Sequence, residues 1–129
     1  MKRINTKKAP EAIGPYVQGV KFNNMIVTSG QLPINADLGI IESASVKEQT
    51  YRSLTNIKNI LEEGGGQIKD IVKTTVYLQH MDDFAEMNEV YGEFFKGMQC
   101  PARTTVEVAK LPMDALVEIE AIAFLEGEK

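Results

Sequence analysis

The spacing of apolar and polar positions divides the chain into strands and helices. Val17 to Phe22 and Met25 to Ser29 are short, β-branched runs of the length and composition of half-buried strands. Asn23 and Asn24 between them tolerate left-handed backbone and predict a tight turn. Gly30 and Pro33 then interrupt regular structure, and residues 35–39 read as a further turn. Ser45 opens a helix, with Glu48 three residues on completing a capping box. Val46, Thr50, Leu54, Ile57 and Leu61 follow at helical spacing, and Gly64-Gly65-Gly66 ends the run as a left-handed glycine cap would.

The second half repeats the alternation. Ile71 to Leu78 reads as a central strand with Val72, Thr74, Val76 and Leu78 on one face. Asp82 or Asp83 caps a second helix whose apolar stripe is Phe84, Met87, Tyr91 and Phe94. Two strands close the chain, one running on from Pro101-Ala102-Arg103 and one over Val117 to Ala123, with Leu111-Pro112 between them, as in a half-buried hairpin. The order is β-β-β-α-β-α-β-β. Two helices on one face of a mixed six-stranded sheet make an α+β domain, here a single unit over residues 1–129.

Composition narrows the class of function. Hydrophobic residues make up 43% of the chain and charged residues 25%, which are ordinary globular values. No apolar run approaches the ~20 residues that span a bilayer. A net charge of −4 argues against a broad nucleic-acid surface. The single cysteine, Cys100, cannot pair within the chain, which suits a reducing, cytoplasmic location.

Candidate chemistry concentrates at Arg103, at the mouth of a strand. A guanidinium is always charged, and its planar fork matches a carboxylate. The residue reads equally well as one half of a surface ion pair. Glu118 and Glu120 share a strand face, and one of them beside Arg103 would handle a proton or orient water. Residues two apart on one strand do not straddle a sugar, so a glycosidase pair is a poor reading. Gly14-Pro15 sets where Tyr16 enters the sheet, and Thr28-Ser29-Gly30-Gln31 ends a strand where backbone N–H groups become free. His80 stands alone, no His/Cys cluster has metal spacing, and the glycine triplet closes a helix instead of cradling phosphate. A reaction here would use Arg, Glu, Tyr, backbone amides and water, with no metal and no cofactor.

These segments together resemble the reactive-intermediate deaminase family (RidA/YjgF). The resemblance rests on residues 12–19 (Ala-Ile-Gly-Pro-Tyr-Val-Gln-Gly), 28–31 (Thr-Ser-Gly-Gln) and 70–77, Asp83-Phe84, Asn88, Tyr91, Pro101-Ala102-Arg103 and 117–123, in order along the chain. It implies a chorismate-mutase-like fold assembled as a homotrimer with clefts between subunits. It also implies hydrolysis of enamines and imines such as 2-aminoacrylate and 2-aminocrotonate to 2-keto acids and ammonia. On that resemblance Arg103 would bind the substrate carboxylate and Glu118 would activate water and shuttle a proton. Tyr16, Ser29, Gly30 and Asn88 would line the pocket. Thr105, where several family members carry cysteine, would supply a hydroxyl or backbone contact. The alternatives are a non-catalytic module that binds small 2-keto acids and, ranked lower on charge, a ribonuclease or translation inhibitor.

Overall fold

A computed structural model describes residues 1–126. Its strands are β1 (Lys2–Ile4), β2 (Gly19–Phe22), β3 (Met25–Thr28), β4 (Ile71–Leu78), β5 (Ala102–Glu107) and β6 (Val117–Phe124). Its helices are α1 (Val46–Glu63) and α2 (Phe84–Phe94), and the element order is the one read from the sequence. β1 is the strand that the pattern did not locate: three residues, one of them buried, are too few to show a period.

Both helices lie on one face of the sheet. In α1, Leu54, Ile57, Ile60 and Leu61 are fully buried, and each such side chain contributes about 1.5–3 kcal/mol relative to exposure. Ser45 caps the helix, its hydroxyl accepting from the Glu48 N–H at 3.3 Å. At the other end Gly64 has an ordinary φ, and the left-handed residue is Gly65 at φ 91°.

Three expectations change. The sheet order is β1-β2-β3-β6-β4-β5, so β5 and β6 are not a hairpin. β6 lies antiparallel between β3 and β4, while β5 pairs only with β4, in parallel. Adjacency in sequence fails here because the long central strand β4 offers β6 a longer apolar ladder than the exposed edge strand β5 does. In β4 a bulge between Ile71 and Lys73 reverses the alternation, so Ile71 is buried and Val72 exposed. In α2 the buried stripe is Met87 and Tyr91, continued by Phe95 just past the helix, with Phe94 only partly buried. Phe84 is exposed, and Asp83 stands at the cap position without a side-chain cap bond.

The opposite face of the sheet is uncovered by this chain. Val27, Tyr77 and Ile122 are half-buried there, and Phe124 is 42% exposed. Glu118, Glu120, Ile122 and Phe124 alternate along β6 with the buried Val117, Ile119, Ala121 and Ala123. No helix of the described residues is long and apolar enough to cross a membrane.

Candidate active site

The predicted site residues fall into two groups on opposite faces of the sheet. Arg103 and Thr105 on β5 stand opposite Thr74 and Val76 of β4, both buried, and therefore face the helices. Glu118 stands opposite Tyr77 and Glu120 opposite Thr75, on the uncovered face. The expectation that a β6 glutamate lies beside Arg103 within one chain is thus wrong. β4 separates the two strands and the side chains point to different faces.

The first group gathers around α2. Arg103 Nη1 donates to Asn88 Oδ1 at 2.7 Å. Among the described residues no carboxylate lies within salt-bridge distance of Arg103. Arg103 is therefore not half of an ordinary ion pair among the described residues. Two residues on, the Thr105 hydroxyl is buried without a hydrogen-bond partner. An orphaned hydroxyl costs about 1–3 kcal/mol unless a ligand or water satisfies it.

The second group is built by an irregularity where β3 ends. β3 leaves β6 after the pair Val27–Ile122, and the chain rejoins it at an isolated bridge, Gln31–Ile119. Thr28, Ser29 and Gly30 thus span a stretch that β6 covers with only Glu120 and Ala121, the count of a bulge. Ser29 donates its hydroxyl to the Val17 carbonyl at 2.6 Å and its N–H to the Gln18 carbonyl at 2.8 Å. A Cβ on Gly30 would lie 2.6 Å from Glu118 Oε2, so glycine is what lets the carboxylate lie against the backbone. Gly14, at φ 125°, turns the preceding segment and leaves Tyr16 half exposed. Tyr16, Ser29, Gly30 and Glu118 line one recess of about 390 Å³.

Electrostatics single out Glu118. Its own burial, and after that the charge of Glu120, push its pKa above the ordinary value of 4.5. Tyr77 is raised by burial first and then by the two glutamates. The fold thus favours the neutral form of the Glu118 carboxyl, in part through the charge of Glu120.

Gln18, Phe84 and Tyr91 lie in the motifs that carry the resemblance, but sequence reasoning assigned none of them a role in this architecture. Gln18 is buried; its side-chain amide accepts from the Thr6 N–H at 2.7 Å and donates to the carbonyls of Thr6, Ala9 and Pro10, fastening the N-terminal segment beside the Glu118 recess. A lone glutamine entering a strand carries no periodic signal of such a clamp. Phe84 and Tyr91 flank Arg103, but aromatic residues on an apolar stripe read as core. A groove of about 610 Å³ along the first half of α1, which reaches α2 only at Val90, holds none of the predicted residues.

The model of the Endoribonuclease L-PSP family matches residues 6–125. The chain belongs to this family, also called YjgF/RidA. A RutC family protein of Pyrococcus abyssi is 54% identical over 123 residues, covering 95% of this chain and 96% of that one. A 2-iminobutanoate/2-iminopropanoate deaminase of Escherichia coli is 52% identical over 124 residues, covering 95% and 96%. Among solved structures, the E. coli YjgF gene product superposes with a TM-score of 0.93 at 51% identity, over 96% of this chain and 98% of that one. E. coli TdcF with bound serine gives 0.93 at 46% identity over the same shares. The resemblance read from the sequence motifs is borne out in family and in fold.

Proposed function

We propose that this protein hydrolyses small 2-imino acids, and their enamine tautomers, to 2-keto acids and ammonia. The observation that carries the proposal is the Arg103 guanidinium, held by the neutral Asn88 carbonyl with no acid partner among the described residues and hence available to an anionic ligand. Relatives with about half of their residues in common bear the name of this activity, and TdcF, of the same fold, holds a small amino acid.

The chemistry asks little of the protein. Arg103 takes the substrate carboxylate in a two-point contact, with Asn88 and Thr105 beside it. For an enamine, protonated Glu118 first delivers its proton to the β-carbon, leaving an iminium and a carboxylate. The carboxylate accepts a proton from water as the water oxygen bonds to the iminium carbon. Glu118 then passes that proton to the nitrogen of the tetrahedral adduct. The C–N bond breaks, ammonia leaves with the bonding pair, and the Glu118 carboxylate takes the hydroxyl proton, which gives the keto acid and restores the protonated carboxyl. A carboxyl held above its ordinary pKa suits both halves of this shuttle. Tyr16, Ser29 and Gly30 shape the wall against which Glu118 rests.

Arg103 and Glu118 serve one substrate only if two copies of the chain meet. The uncovered face, with Ile122, Phe124 and Val106 exposed or half-exposed, is the surface a second copy would bury. A closed ring of such heterologous contacts is a homotrimer in the simplest case, with each site made from neighbouring protomers. Nucleic acid fits this site poorly, since the chain is acidic and the Arg103 cradle is a single cation. The proposed working place is the cytoplasm.

The direct test couples the protein to a threonine dehydratase and follows 2-oxobutanoate release as its semicarbazone. Faster release than buffer alone supports the reading. Tight binding of 2-oxobutanoate with no acceleration would make the protein a keto-acid-binding module instead.

Gly30→Ala separates placement from folding. The added methyl strikes the end of a flexible side chain, so the fold tolerates it, but the Glu118 carboxylate must move. A displacement of about 1 Å is enough to lower turnover by up to ~10²-fold. Turnover should fall at least about tenfold while the melting temperature moves by only a few degrees. Unchanged turnover would remove Gly30 from the site.

A further inference from the structure

We propose that Phe84 and Tyr91 are positioning residues, an aromatic bracket that fixes the plane of the Arg103 guanidinium without neutralising it. The inference rests on the carboxylate-binding reading of Arg103 above. Phe84, Asn88 and Tyr91 stand at i, i+4 and i+7 on α2 and so form one stripe of that helix. The guanidinium carbon is 5.4 Å from the Phe84 ring centroid and 4.7 Å from that of Tyr91. Between the rings in sequence, Asn88 Oδ1 accepts from Nη1 at 2.7 Å. One helical face thus presents ring, amide and ring to a single cation.

The bracket is anchored in the sheet. The Tyr91 hydroxyl lies 2.6 Å from Thr74 Oγ1, and Thr74 is the β4 residue directly opposite Arg103. Phe95 packs on Tyr91 with centroids 4.9 Å apart. The path Arg103–Tyr91–Thr74 and back across the β4–β5 ladder is therefore closed, and the Tyr91 ring has little freedom to leave the cation. Phe84 has no such anchor and is 36% exposed. Burial alone would not hold a phenylalanine there, at the first turn of α2 over a charge.

An aromatic face attracts a cation through its quadrupole and brings no counter-charge. A carboxylate in the same place would occupy the fork that the ligand needs. An unbracketed arginine would have to order its long side chain at the moment of binding. The rings hold the fork in advance and leave its charge for the ligand.

The test measures 2-oxobutanoate binding to the assembled protein by calorimetry, with turnover kinetics alongside, for Phe84→Leu and Phe84→Tyr. Leucine keeps the apolar bulk and removes the ring face; tyrosine keeps the ring. Phe84→Leu should weaken binding roughly three- to tenfold and raise KM with little change in kcat, while Phe84→Tyr stays within about twofold of the parent. Equal affinities for both variants, whether both parental or both weakened, would overturn the bracket. Arg103→Ala is the control for the underlying reading. If it binds 2-oxobutanoate as tightly as the parent, or if the parent does not bind, the carboxylate reading fails and the bracket with it. If Arg103→Ala loses binding and Phe84→Leu does not, only the bracket fails.

Discussion

Arg103→Ala is expected to lower kcat/KM for imine hydrolysis by about 10²–10⁴-fold, the cost of losing two charge-assisted hydrogen bonds to one carboxylate. The fold should survive, because Arg103 is only half-buried and forms no ion pair among the described residues. Asn88, its side-chain hydrogen-bond partner among the described residues, is exposed and can turn to water. Arg103→Lys should recover only part of the loss, since an ammonium lacks the planar fork. The measurement is dehydratase-coupled keto-acid release, with thermal unfolding as the control. A folded Arg103→Ala protein that accelerates release as the parent does would remove Arg103 from the mechanism.

Glu118→Gln should affect rate and stability in opposite directions. Loss of the proton shuttle lowers kcat by about 10²–10⁴-fold. Stability follows from the sign of the pKa shift. Burial, and then the charge of Glu120, raise the Glu118 pKa above 4.5, so the folded state holds this proton more tightly than the unfolded chain. The stabilisation that follows is complete below the unfolded value and is lost as pH rises through the folded one. Above that window the parent carries a disfavoured, half-buried charge that glutamine lacks. Glu118→Gln should therefore melt above the parent near pH 8 and converge with it at about pH 4. A variant that melts below the parent at every pH would contradict this assignment of strain.

The parts of the fold legible in the sequence are those whose signal is local. α1 has a full 3.6-residue stripe, a serine cap and a glycine stop, and Asn23 takes the left-handed turn at φ 52°. What the pattern misplaced depends on partners far along the chain. Nothing near Arg103 says that β5 pairs in parallel with β4, where its partner is Thr74. Nothing near Glu118 says that β6 inserts between β3 and β4. The α2 stripe slipped from Phe94 to Phe95 because the end of the helix, where the choice is made, is the least periodic part.

The candidate residues could be named from the sequence, but their places in the fold could not. Arg103, Asn88 and Thr105 come together, as do Tyr16, Ser29, Gly30 and Glu118, but the sheet lies between the two groups. On the proposed reading the two groups serve one reaction, and assembly is what would unite them. The apolar part of the uncovered face, with Ile122, Phe124 and Val106, would supply a driving force for it.

The central claim, that each site joins Arg103 of one copy to Glu118 of another, has one decisive measurement. Arg103→Ala and Glu118→Gln proteins, each inactive alone and carrying different tags, are unfolded together in equal amounts and refolded. Mixed oligomers are then isolated through both tags, and keto-acid release is measured. A mixed trimer always holds two copies of one variant and one of the other, and each site draws its arginine half and its glutamate half from different protomers, so about a third of the sites in the isolated oligomers recover both native residues. Activity near that fraction of the parent's is the predicted result. Mixed oligomers no more active than either variant alone would contradict it, because the two residues would then have to act within a single chain.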